Sequence, residues 1–234
     1  MSLAAEQEKN GKQLLWVFEV ELAYRIEGKT WTQDDAPNTA CWYMDHSTEG
    51  TPSRVRQMLR STGVVTDYGA AKASLAACQA AVSSWWYDSA TGRLHVHASG
   101  GDTPATASKY YMTSHFWKYF STHEYPEPDT LYDPAGNRIE PRLGQMATGI
   151  TQEVNDFSEV GCRETWDSIT LANSDGKLDL LPVTYIVHYC ACLLKIGAVG
   201  DAYASLVTIN RGRTGSWVWD DAQWEVSIIG SDFD

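Results

Sequence analysis

Hydrophobic and polar positions alternate most clearly near the start of the chain. In residues 14–26 (LLWVFEVELAYRI) an apolar opening settles into period two. Val17, Glu19, Glu21 and Ala23 fall on one side, and Phe18, Val20, Leu22 and Tyr24 on the other. This predicts a half-buried strand closed by the turn Glu27-Gly28-Lys29. Residues 32–38 (TQDDAPN) are rich in turn formers and read as a loop, and residues 40–44 as a short aromatic strand. Thr51-Pro52 then places a capping hydroxyl before a proline at a first helical position, which predicts a short helix through about residue 59. With Asp67 as N-cap, Ala71, Leu75, Cys78 and Val82 recur at helical spacing opposite Lys72 and Gln79. This is the clearest helix signal of the chain, with Leu75 facing the core.

Period two returns after it. Residues 85–87 and 93–97 flank the loop Asp88-Ser89-Ala90-Thr91-Gly92 and predict a hairpin. Residues 109–120 (KYYMTSHFWKYF) read as an aromatic strand pair. Residues 124–142 carry Pro126, Pro128, Pro134 and Pro141, too many for a central strand, and read as an extended connector. Further strands are expected at 165–171 and within 183–196, the latter long enough for one buried strand or two. Two more, at 205–210 and 216–229, are separated by turns at Arg211-Gly212 and Thr214-Gly215. Asn173-Ser174-Asp175-Gly176 is the structural turn after the first of these. The fold class expected is mainly β with a small helical insertion (α+β), in antiparallel β-barrel or sandwich domains. The N-terminal strands of residues 1–50 join the β-core, 51–84 form the helical insertion, and 85–234 form a β-rich domain containing the connector 124–142.

Composition narrows the function. The chain has 234 residues, 43% hydrophobic and 21% charged, without an apolar run long enough to span a membrane. A net charge of −12 argues against phosphate-backbone binding as the business of the surface. The first twelve residues are polar and do not read as a signal peptide, so the protein is expected to stay in the cytoplasm that makes it. Five cysteines (Cys41, Cys78, Cys162, Cys190, Cys192) without a C-x-x-C pair indicate neither a disulfide framework nor a zinc cage, and each is expected to be a small buried hydrophobe. Ten Trp and twelve Tyr against five Phe favour rings with a polar tip, which suit both pleated surfaces and subunit interfaces.

Candidate chemistry is sparse. His95 and His97 leave one strand face at a spacing a metal pair would use, but no third ligand lies near in sequence. Asn173-Ser174-Asp175-Gly176 resembles the middle of a calcium loop, yet Leu171 and Pro182 occupy its first and twelfth places. The acidic pairs Asp34/Asp35, Glu127/Asp129 and Asp220/Asp221 could serve a glycosidase and equally suit solvated turns. Neither a nucleophile elbow nor a phosphate loop occurs. Cys190 and Cys192 alternate with Ala191 and read as core. Catalytic residues, cofactors and metals are therefore none.

Four segments in order carry a resemblance: WWYDSATGRLHVHASGGDTP, LYDPAGNRIEPRLGQMATGITQEV, DSITLANSDGKLD and WVWDDAQWEVSIIG. Over roughly residues 85–230 this order resembles a module of tail-tip and baseplate proteins of long-tailed bacteriophages. The resemblance implies a non-enzymatic structural virion protein, a hub or distal-tail subunit in the virion tail. It would form a three-fold or six-fold ring, a homo-oligomer that continues the tail tube, with tail-tube and tail-tip proteins as neighbours. DNA would pass through the lumen without specific binding, and no membrane is involved. Trp117, Tyr125, Tyr132 and Trp217 are the candidate interface residues, because such rings are enriched at interface hot spots. The alternative is a carbohydrate-binding or glycoside-hydrolysing β-domain, suggested by the tryptophans and scattered carboxylates.

Overall fold

The computed structural model describes residues 14–34, 40–99, 103–105, 109–122, 133–134, 139–144, 150–154, 162–220 and 222–230; for 110, 150–154, 162–167 and 220 it describes the backbone alone. Among the described residues the fold is mainly antiparallel β with two short α-helices. The chain divides into two compact units, Ala23–Phe116 and a discontinuous one made of Met1–Leu22 with Trp117–Asp234. Strand β1 (Leu14–Arg25) begins in the discontinuous unit and ends in the inserted one.

In the inserted unit, β2 (Thr32–Gln33), β3 (Cys41–Asp45), β6 (Ser84–Asp88) and β7 (Arg93–His97) form a sheet in the order β2-β3-β7-β6. The expected hairpin is present, with Ser84 opposite His97, Asp88 opposite Arg93, and Gly92 at φ +69° in the connecting loop. Alternation sorts the two faces. Met44, Trp85, Leu94 and Val96 enter the core together with Ile26, Val55 and Met112, while Cys41, Ser84, His95 and His97 point the other way.

Strand β4 (Arg54–Leu59) pairs with β5 (Val65–Asp67) on one side and β8 (Tyr110–Ser121) on the other. This corrects the helix expected from Thr51-Pro52. Val55 and Gln57 are buried and alternate with the half-buried Arg54, Arg56 and Met58, a period of two, and ladder bonds to two neighbouring strands outweigh the capping signal. The helix expected from Asp67 shrinks to α1 (Leu75–Gln79), capped by the Ser74 hydroxyl, which accepts the Ala77 N–H at 3.3 Å. Upstream residues are committed elsewhere: Asp67 ends β5, pairs with Arg56 at 3.0 Å and accepts the Gly69 N–H, and the Lys72 N–H bonds the Trp85 carbonyl. Leu75 is half-buried and Val82 exposed, while Cys78 takes the core position. The stretch 51–84 is thus largely strand and loop rather than a helical insertion. Residues 110–121 contain no Gly, Pro, Asn or Asp, and they form the single strand β8 instead of a pair.

The discontinuous unit uses β1, the second half of β8, β9 (Ile150–Val154), β10 (Cys162–Ala172), β12 (Ala191–Ala198), β13 (Val207–Asp220) and β14 (Gln223–Gly230), in the order β8-β1-β12-β13-β14-β10-β9. A short helix, α2 (Leu181–Thr184), with proline in its first turn, leads into β11 (Tyr185–Ile186), which pairs with β1. The region 183–196 therefore resolves into a helical end and two strands. Phe18, Val20, Leu22, Ile169, Leu171, Leu194, Trp217, Val226 and Ile228 share one core. Leu15 and Val17 pack separately with Ile139 and Leu206. Strand β1 is consequently buried on both faces, not half-buried as its alternation suggested, and Glu19 and Glu21 are taken inside with it.

β13 runs unbroken for 14 residues where two turns were expected. A Cβ on Gly212 would come within 2.5 Å of the Ile229 carbonyl oxygen, and one on Gly215 within 2.4 Å of Ser227 Oγ. These glycines serve close approach of neighbouring strands beside an irregularity between Thr214 and Trp217, not chain reversal.

Candidate functional site

The turn after β10 is built as the sequence suggests. Gly176 sits at φ +68°, and its N–H bonds the Asn173 carbonyl at 3.0 Å. Asn173 is buried; its Oδ1 accepts the Leu178 N–H at 2.8 Å and its Nδ2 donates to Asp179 at 2.6 Å. Asp175 is held by two parallel bonds from Arg142, at 2.9 and 2.8 Å, which keep its carboxyl well below the usual range. Arg142 also donates to the Ala172 carbonyl and pairs with Glu140, so the end of the proline-rich stretch is anchored on this turn. Gly176→Val forces a β-branched residue into a left-handed conformation, and about 1–3 kcal/mol of stability should be lost in denaturant melts.

The four interface candidates divide. Trp117 is half-buried on β8. Trp217 is in the core, 9% exposed, its ring 6.3 Å from Trp224. Tyr125 and Tyr132 lie outside the described residues. The exposed apolar side chains of β13 are instead Val207, Ile209, Val218 and Trp219, at 56%, 39%, 53% and 53%, with Arg211 and Arg213 also exposed. Sequence reading missed them because it divided β13 with false turns, so that the strand and its irregularities were not seen.

Glu19 forms a second feature that alternation alone disguised. Its Oε1 accepts the Tyr203 hydroxyl at 2.7 Å and pairs with Lys195 Nζ at 2.8 Å, and Lys195 also donates to Tyr203 Oη at 2.6 Å. Burial, with Glu19 nearby, pushes the Tyr119 phenol up to about 12. Burial likewise pushes the Cys192 thiol up to about 12, a core thiol as expected.

The histidines of the inserted unit lie deeper than a solvent-facing strand edge. His95 and His97 are each 5% exposed on one face of β7. His95 Nδ1 lies 3.0 and 3.1 Å from the two oxygens of Asp34, also buried, with the rings of Tyr43 and Trp86 beside it. His97 Nδ1 has no hydrogen-bond partner among the described residues. Asp34, Cys41 and Cys78 reach the same face through the β3–β7 register and α1, neither of which a single sequence discloses. No group of three or more His, Cys, Asp or Glu side chains among the described residues is arranged to hold a metal ion. Of the paired carboxylates, Asp34 is committed to His95, and Asp35, Glu127, Asp129 and Asp221 lie outside the described residues.

Two other histidines report on pH. His46 Nδ1 is 2.9 Å from the Gly50 carbonyl, so it carries the proton, and Nε2 accepts from the Ser114 hydroxyl at 3.0 Å. His115 is held down to about 3 by burial and by Arg54 and Arg56. The unfolded chain binds a proton at this residue near pH 6.5 while the folded chain resists until about 3, so stability should fall as pH drops across that window. Urea melts from pH 7.5 to 4 should give a smaller slope for His115→Gln than for the parent.

No protein-family model matches the chain, and no curated protein matches it. Among solved structures, the chain is similar to one from the virion of a native gene transfer agent particle. The identity is 14% over 48% of this chain, with a TM-score of 0.32, and the match spans 36% of that structure's chain.

Proposed function

We propose that this chain is a structural, non-enzymatic subunit of a phage-like virion, and within it a ring-forming component of the tail tip or baseplate. The observation that carries the reading is the set of exposed apolar side chains on β13, Val207 and Ile209 in the part paired with β12 and Val218 and Trp219 in the part paired with β14. Large apolar groups left at the surface of an acidic, β-rich chain mark a surface that another protein covers. The order of short motifs shared with tail-tip proteins supplies the kind of assembly. Copies of the same chain and neighbouring tail proteins are the partners, and a net charge of −12 lets DNA slide past without adhering.

Ile209→Lys combined with Val218→Lys tests this. Both positions are exposed, so the melting temperature should be unchanged to within about 0.5 kcal/mol of stability. Incorporation into particles, measured by mass spectrometry of purified virions, should be lost. A chain absent from wild-type virions, or a doubly substituted chain incorporated normally, defeats the proposal.

A further inference from the structure

The face of the β2-β3-β7-β6 sheet opposite the core carries a chemistry that an assembly role does not use. Cys41 on β3 and Cys78 on α1 are both fully buried, and their sulfurs lie 3.8 Å apart. They are in contact but not bonded, since a disulfide requires about 2.05 Å. Around them the groups are unequal. Either sulfur can donate in the Cys41–Cys78 contact; Cys78 Sγ also lies 3.8 Å from the His95 carbonyl and 3.5 Å from the Ser84 hydroxyl and accepts the His97 backbone N–H when it is the thiolate, whereas Cys41 faces the Asp34 carboxylate. Asp34 is fixed in turn by His95.

We propose that Cys41 and Cys78 form a peroxide-sensitive dithiol that closes to an intramolecular disulfide and ties α1 to β3. The donors converging on Cys78 lower its pKa, the Cys41 hydrogen bond foremost, and make it the thiolate that reacts. Cys41 is held protonated, first by its bond to Cys78 and then by burial and Asp34. The Cys78 thiolate attacks one oxygen of hydrogen peroxide. The O–O bond breaks, hydroxide leaves and takes up the proton that Cys78 had released, and Cys78 becomes a sulfenic acid. Cys41 then gives up its proton, with Asp34 placed to receive it, and its sulfur attacks the Cys78 sulfur. The S–O bond breaks, and hydroxide leaves as a second water with that proton. Two thiols have lost two electrons to one peroxide, which ends as two waters.

Access and closure are both provided by α1. It is a five-residue helix, and Ser74, Ala76 and Ala80 around it are exposed. A helix this short has little stability of its own, so local opening admits a molecule the size of water and lets the sulfurs approach. Cys192 on β12 and Cys190 just before it, both in the other unit, serve as internal controls.

The test treats the full-length reduced protein with hydrogen peroxide and maps the products by non-reducing peptide mass spectrometry, with native mass spectrometry of the untreated protein alongside. The expected product is a Cys41–Cys78 linked peptide, formed while Cys190 and Cys192 stay reduced, with a melting temperature that rises and returns on adding dithiothreitol. In Cys41→Ser the reaction should stall at the sulfenic acid, and dimedone should label Cys78 at least ~10-fold faster than it labels Cys41 in Cys78→Ser. Absence of the linked peptide overturns the proposal, as do equal labelling of the two single variants or a stoichiometric metal ion on the untreated protein. Should the variants fail to fold, the wild-type peptide map alone decides.

Discussion

Lys195→Met lowers the stability of the protein by about 3–5 kcal/mol, the cost of leaving one member of a buried ion pair without its partner. Glu19 is 2% exposed, on a strand covered on both faces, and Lys195 on β12 lies one diagonal step away, opposite Val17. With the ammonium gone, the Tyr203 hydroxyl at 2.7 Å is the remaining donor described at Glu19 Oε1, too little to solvate a charge in that position. Guanidinium melts of Lys195→Met, Glu19→Gln and the double variant read the effect. The double variant should recover more than half of the loss, because a neutral amide still accepts from Tyr203. A single-variant loss below about 1 kcal/mol would place the pair in the class of solvated surface bridges.

Trp85→Ala should cost a similar amount, about 3–5 kcal/mol, for a different reason. Trp85 is the largest fully buried side chain among the described residues, packed among Val96, Leu94 and Val55 of the inserted unit, and its indole N–H bonds the Gly69 carbonyl at 2.9 Å. Truncation opens a cavity and strips a buried carbonyl of its donor. Trp85→Phe keeps most of the packing and should cost about 1 kcal/mol or slightly more, mainly the hydrogen bond. Equal losses in the two variants would mean that the ring's volume is not what the core needs.

What could be read in advance follows from which forces are local. The β1 alternation, the 84–97 hairpin and the Asn173–Gly176 turn were legible because side-chain period and turn chemistry act over a few residues. The helices were overestimated where a local cap competed with a ladder: Thr51-Pro52 lost to two strand neighbours, and Ala71 to Ser74 were drawn out beside β6. Gly212 and Gly215 read as turns because a sequence records the missing side chain and not the strand that presses against it. The polar face was half visible. His95 and His97 announced themselves by spacing, but Asp34 and Cys41 join them through a register set by tertiary pairing, and Cys78 through the docking of α1. Glu19 sat in plain alternation, and only a second packed layer, with Ile139 and Leu206, made it a buried charge.

The division of the chain has a consequence for its synthesis. Strand β1 precedes the inserted unit, yet its partner β12, matched residue for residue from Leu14 opposite Ala198 to Val20 opposite Cys192, follows it. The inserted unit is complete once Phe116 has left the ribosome, while β12, the partner of the strand that begins before it, is not complete until Ala198, some eighty residues later. Translation therefore finishes the inserted unit before the one that encloses it in sequence. It leaves the β12 edge of the apolar strand β1 open in the meantime, the stage at which the nascent chain is most open to pairing with another copy of itself.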